Sequence, residues 1–206
     1  MLFRSSKNAY TLGDMVEDIG DIFRAQETHV GRARAAEACL RRALGNPGFL
    51  ESCPGYDPAQ TNVNLHKDPG LGFVVQATTI KPGLFRMPHD HGPVMWNIYG
   101  LYRNEGVQRI YRRFDDGSRE GYAEAEMLGE YTLRQGDTYA LFPGDIHQDG
   151  NVSNADCISI VLRERSNRTA RNVFYPERRL VKACTDAIPF VRTAADYPPF
   201  FADAPH

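Results

Sequence analysis

The chain has 206 residues, of which 42% are apolar, and its 24 Lys and Arg against 26 Asp and Glu give a formal net charge of -2. That length suits one well-buried core, and with no linker-like stretch the chain is expected to form a single domain, 1–206. Interspersed charge gives no basic field for nucleic acid, and no apolar run approaches a membrane span, so neither is expected as a partner.

Met1-Leu2-Phe3-Arg4-Ser5-Ser6-Lys7 lacks the apolar centre of a signal peptide, so a cytoplasmic protein, monomer or homodimer, is expected. Leu12, Met15, Val16, Ile19, Ile22 and Phe23 recur at three and four residues, the stripe of an amphipathic helix. Val30, Ala33, Ala36, Cys39, Leu40 and Leu44 repeat the pattern up to the stop signal Gly45-Asn46-Pro47-Gly48. These two helices, within 1–48, are expected to cover one face of a sheet. From about residue 60 the period becomes strand-like, over Leu71–Ile80, Val94–Arg103, Val107–Phe114, Met127–Leu133, Thr138–Phe142 and Cys157–Arg163. Turn signals such as Lys81-Pro82-Gly83 and Asp115-Asp116-Gly117-Ser118 separate them. Many short strands with Gly and Pro punctuation predict an all-β jelly roll over 60–175. The Arg-rich pieces Arg32–Arg42 and Arg163–Arg179 are read as a solvated helix face and a strand edge. The remainder, 176–206, is an extension rich in Pro, Ala and aromatics. Cys39, Cys53, Cys157 and Cys184 show no paired spacing and are expected to be reduced thiols.

Chemistry concentrates in Pro88-His89-Asp90-His91-Gly92 and Pro143-Gly144-Asp145-Ile146-His147. Two imidazoles one residue apart point to the same side of a strand, because side chains alternate with a period of two. A third His from a neighbouring strand completes a three-nitrogen face and leaves the opposite side of a metal open. By contrast, His29, His66 and His206 stand alone and are expected to be structural.

These motifs resemble those of the cupin family: Gly83, five intervening residues and His89-Asp90-His91 for the first, and Gly136, Pro143, His147 and Asn151 for the second. Where that family usually places a Glu ligand, this chain has Met95 and Trp96. The resulting three-His set is similar to the thiol dioxygenases, cysteine dioxygenase and its relatives. The likeness covers roughly residues 60 to 165. It implies a double-stranded β-helix with the helices outside, Fe(II) at His89, His91 and His147 (with Ni, Zn or Mn also able to occupy purified protein), and a small anionic substrate with dioxygen as partners. A thiol would be oxidised to a sulfinate. Other cupin chemistries, an isomerase, a decarboxylase, a carbon-cleaving dioxygenase or a non-catalytic binder, stay open on the residues alone.

Ligating histidines are oriented by second partners, so Asp145, Asn151, Asp90 and Asp149 are candidates, and Asp145 also shares strand parity with His147. Arg86, Trp96, Tyr99 and Arg163 are candidate substrate-binding residues, and Tyr139 a further wall. Strict alternation places Arg86 on the face opposite His89 unless Pro88 distorts the strand. The Arg clamp of cysteine dioxygenase aligns with Val63, and its Ser-His-Tyr alternation with Cys157, Ser159 and Val161. These departures imply that cysteine itself is a poor substrate.

Overall fold

The computed structural model describes residues 9–93, 95–165, 171–185 and 188–193. Residues 1–8, Val94, His206 and about half of the expected C-terminal extension lie outside the described residues.

Helix α1 (Leu12–Ala25) begins at a capping box in which the Thr11 side chain accepts from the Asp14 amide and Asp14 reaches back to the Thr11 amide. Helix α2 (His29–Leu44) is capped by the Thr28 hydroxyl. After them the chain runs through β1 (Asn62–Lys67), β2 (Val74–Ile80), β3 (Phe85–Arg86), β4 (Asn97–Arg103), β5 (Gly106–Arg113) and β6 (Ala125–Leu133). It continues through β7 (Thr138–Leu141), β8 (Ile146–Gly150), β9 (Cys157–Arg163), β10 (Arg171–Tyr175), β11 (Leu180–Cys184) and β12 (Phe190–Val191).

Two five-stranded sheets result, ordered β1-β2-β9-β4-β7 and β12-β3-β8-β5-β6, with β10 and β11 as an antiparallel pair. From β2 to β9 the chain passes repeatedly between the two sheets, and the paired strands are antiparallel. This is an all-β double-stranded β-helix with two helices packed outside. The predicted β9 bounds match the structure; β1 and β8 are not among the expected strands, and the two-residue β3 is too short for a periodic signal.

The largest apolar cluster lies between the helices and the outer face of the first sheet. Met15, Ile19 and Leu40 meet Val75, Ala77, Ile98, Ile160 and Leu162 there. Gly100 makes this approach possible: a Cβ on it would meet Leu44 and Leu40 carbons at 2.8 to 2.9 Å. The inner residues of the same strands, Gln76, Asn97, Tyr99, Val161 and Arg163, alternate with these and face the barrel interior.

Candidate metal centre

The His-x-His segment is held as an extra strand between β8 and β10. His89 exchanges both backbone hydrogen bonds with His147, at 2.8 and 2.9 Å. On its other side the Phe174 amide donates to Pro88 O at 2.8 Å and the Asp90 amide to Asn172 O at 3.0 Å. Asp90 completes this join, accepting from the backbone and side-chain amides of Asn172, both at 2.8 Å. It is therefore a clasp between segments rather than a partner of an imidazole.

The ligand atoms of His89, His91 and His147 all lie within 4.8 Å of one another, and the three residues are buried. His89 Nδ1 lies 2.8 Å from Met87 O, to which it donates as Nδ1–H; this aims the Nε2 lone pair inward, where that buried atom has no hydrogen-bond partner. His91 Nε2 and His147 Nε2 stand 3.0 Å apart. Two nitrogens bound at right angles to one ion at about 2.1 Å are ~3.0 Å apart, so this spacing fits a shared metal. Burial holds His89 and His91 well below the ordinary imidazole pKa and His147 at about 3. At neutral pH all three therefore present lone pairs, as ligation requires. Among the described residues no carboxylate joins this group.

Gln108, on β5, is the orienting partner that the sequence reading missed. Its amide lies 2.7 Å from His147 Nδ1, while its own Oε1 is buried with no partner. A ligating Nε2 leaves Nδ1 protonated, and rotating the amide by half a turn lets Oε1 accept that proton and satisfies both atoms. No local signal marked it, since Val107-Gln108-Arg109-Ile110 reads as an ordinary half-polar strand and the partner histidine comes from a strand distant in sequence.

The other candidates divide. Tyr99 reaches the centre, its hydroxyl 3.2 Å from His91 Nε2, and it stacks on Tyr139 at 4.9 Å and 2°. Burial raises the pKa of both phenols, so each keeps its proton at neutral pH. Arg163 is on the inner face of β9, opposite Asn97. Arg86 is also inside, contrary to strict alternation. Phe85 pairs with Gly150 but His89 with His147, a one-residue shift that brings Arg86 and His89 to the same side. There Arg86 Nε lies 3.4 Å from Asp149, and its Nη2 donates to Asn62 Oδ1 at 3.2 Å.

Three expectations are corrected. Trp96 sits in the outer cluster, 6.2 Å from Phe23, because it precedes the inward Asn97 by one residue. Asp145 is exposed and caps a turn, accepting from the Phe142 amide at 2.7 Å, so it neither ligates nor orients. Asn151 fastens the loop after β8, donating to Ile80 O at 2.8 Å and Ala155 O at 2.7 Å and leaving nothing for an imidazole. Asp149 faces Arg86 and likewise touches none of the three rings. Val63 belongs to the outer cluster, so the position aligned with the family's Arg clamp faces away from the site. His29 bonds Glu164 and His66 lies near Asp68, both away from the centre.

No family model matches the chain, and no curated protein matches it. Among solved structures it is similar to vicilin from Solanum lycopersicum (tomato), 22% identical over 47% of this chain and 24% of that one, with a TM-score of 0.35. It is similar to a recombinant oxalate oxidase in complex with glycolate, 23% identical over 52% of this chain and 50% of that one, with a TM-score of 0.40. A protein of Klebsiella pneumoniae with a double-stranded β-helix domain is 18% identical over 52% of this chain and 78% of that one, with a TM-score of 0.37. The chain thus spans a quarter of the vicilin and half of the oxalate oxidase. The strand order and the three-histidine site describe a cupin-type fold on their own.

Proposed function

We propose that this protein is a metal-dependent oxygenase of a small anionic metabolite, with ferrous iron at His89, His91 and His147 and a thiol as the substrate. The observation that carries the reading is a ligand set of three neutral imidazoles with no carboxylate. Such a set leaves the ion's double charge uncompensated and favours an anionic donor as the next ligand. When bound, iron supplies the redox chemistry by which a thiol takes up both atoms of dioxygen as a sulfinate.

The chain's own residues position and protect. Gln108 and Met87 O fix two imidazoles, the Tyr99 hydroxyl holds a proton 3.2 Å from His91 Nε2, and the Tyr99 and Tyr139 rings exclude water from one side. Beside Arg163, the inward residues of β9 are Cys157, Ser159 and Val161, which offer none of the His and Tyr groups that resemblance to cysteine dioxygenase implies. Cysteine is accordingly expected to be a poor substrate.

The test is anaerobic loading with ferrous iron, elemental analysis, and then oxygen uptake with 3-mercaptopropionate, cysteamine, cysteine and a set of enols. Oxygen consumption with sulfinate formation is expected from an acidic thiol. Bound iron with no uptake from any thiol refutes the thiol reading, and uptake from an enol alone moves the activity to carbon-cleaving chemistry.

A further inference from the structure

Two inward arginines flank the histidine centre, and they differ in what surrounds them. Arg86 already has an anion, Asp149 at 3.4 Å, and its guanidinium carbon lies 5.0 Å from the Phe190 ring centroid. Arg163 makes no salt bridge among the described residues. Among the described residues its guanidinium donates to neutral oxygens, Gln76 Oε1 at 3.0 Å and Asn97 Oδ1 at 3.5 Å. Asn97 is fully buried, and its Nδ2 donor has no partner.

A partly buried cation with no counter-charge is costly, and so is a buried amide N–H with nothing to bond. One carboxylate placed between the two groups relieves both. The distance also suits a ligand that reaches the metal. Arg163 and Asn97 are cross-strand partners, one inward step along the strands from the Val161 and Tyr99 pair, and Tyr99 touches His91. One inward step of a strand is ~7 Å.

We infer that Arg163 and Asn97 form the carboxylate seat of this site, so that the substrate is a short acid whose metal-binding group and carboxylate are separated by only a few atoms. This rests on the reading that an anionic ligand binds at the histidine centre. Arg86 is then an internal counter-ion of Asp149 rather than the substrate's charge partner. Gln76 holds the guanidinium, and Asn97 contributes its amide donor to the acid.

Two thiols of equal size test this, 3-mercaptopropionate and its uncharged amide, titrated calorimetrically into zinc-loaded and into metal-free protein. Wild-type protein should prefer the acid by about tenfold to a hundredfold, the usual strength of one charge-assisted hydrogen-bonded pair. Arg163→Gln should erase that preference without weakening the amide, and Arg163→Lys should retain part of it. Asn97→Asp keeps the arginine and supplies a carboxylate of its own, so this variant should fold and bind the acid no better than the amide. If Arg163→Gln does not fold, Asn97→Asp and Arg163→Lys decide. An acid preference that survives Asn97→Asp or Arg163→Gln, or that is absent from wild-type protein, overturns the seat. Iron-loaded protein that shows the preference but consumes no oxygen counts against the oxidation chemistry alone.

Discussion

The two faces of the first sheet are built from the same strands yet obey different rules. Along β9, Ile158, Ile160 and Leu162 enter the cluster under the helices, while Cys157, Ser159, Val161 and Arg163 alternate with them toward the barrel interior. On β4, Ile98 and Tyr102 face the helices, and Asn97 and Tyr99 face the histidines. Outside, the apolar side chains need nothing further, since close packing satisfies them. The unpaired buried polar atoms on that side, Trp96 Nε1, the Tyr56 hydroxyl and His66 Nε2, are scattered through an apolar cluster, whereas inside, His89 Nε2, Asn97 Nδ2, Arg86 Nε and Asp149 Oδ1 share the space beside the histidines. Native interiors rarely gather such atoms unless something else binds them. The contrast locates function on one side of a sheet only a single layer thick.

The strongest way to break the comparison is at the ligands. His147→Ala should take metal content from about one ion per chain to none measurable, as expected when a tridentate site loses one of its three nitrogens; mass spectrometry of the intact holoprotein checks it. Acid comes next. In metal-free protein the three buried imidazoles stay neutral below the ordinary imidazole pKa, whereas the unfolded chain takes up protons there. Stability is therefore full above about pH 6.5 and falls as pH drops toward 3, by ~1.4 kcal/mol per pH unit for each imidazole. Urea melts at pH 7, 6 and 5 should show that slope, and metal should flatten it at the upper end, where ligation still holds the rings.

On the other face, Leu40→Ala should cost about 2–5 kcal/mol of unfolding free energy. It should do so with metal content unchanged, and a loss of metal in step with stability would dissolve the distinction between the faces. The smallest effect belongs to Gln108→Leu. It should weaken metal affinity by roughly tenfold to a hundredfold, as loss of an orienting partner does, with little change in the midpoint of metal-free unfolding. Competition with a chelator measures it.

Much of this was legible in residue order. The two helices and the longer strands follow from periodicity, and the His89, His91 and His147 set from two spaced motifs together with the family resemblance they carry. Failures cluster where one residue of register decides the outcome. Trp96 and Asn97 are neighbours, and only the strand's phase sends the aromatic outward and the amide inward. Arg86 reaches the interior because the pairing shifts by one residue before His89, a distortion beside Pro88 that sequence periodicity does not record. Asp145 and Asn151 occupy motif positions, but short local hydrogen bonds at a turn and a loop claim their side chains first. Gln108 and the Asn172 clasp involve residues from strands distant in sequence, for which no local pattern exists.

That clasp bears on how the site opens in solution. With backbone bonds to β8 on one edge and β10 on the other, and Asp90 tied to Asn172, the segment carrying two of the three ligands cannot fray by itself. The Asp90 amide, which donates to Asn172 O, should exchange with deuterium only when β10 peels away, whereas the His89 amide, bonded to His147 O, stays protected until the segment leaves β8. The Phe174 amide, which donates to Pro88 O, should exchange at the same rate as that of Asp90, as members of one cooperative opening unit do.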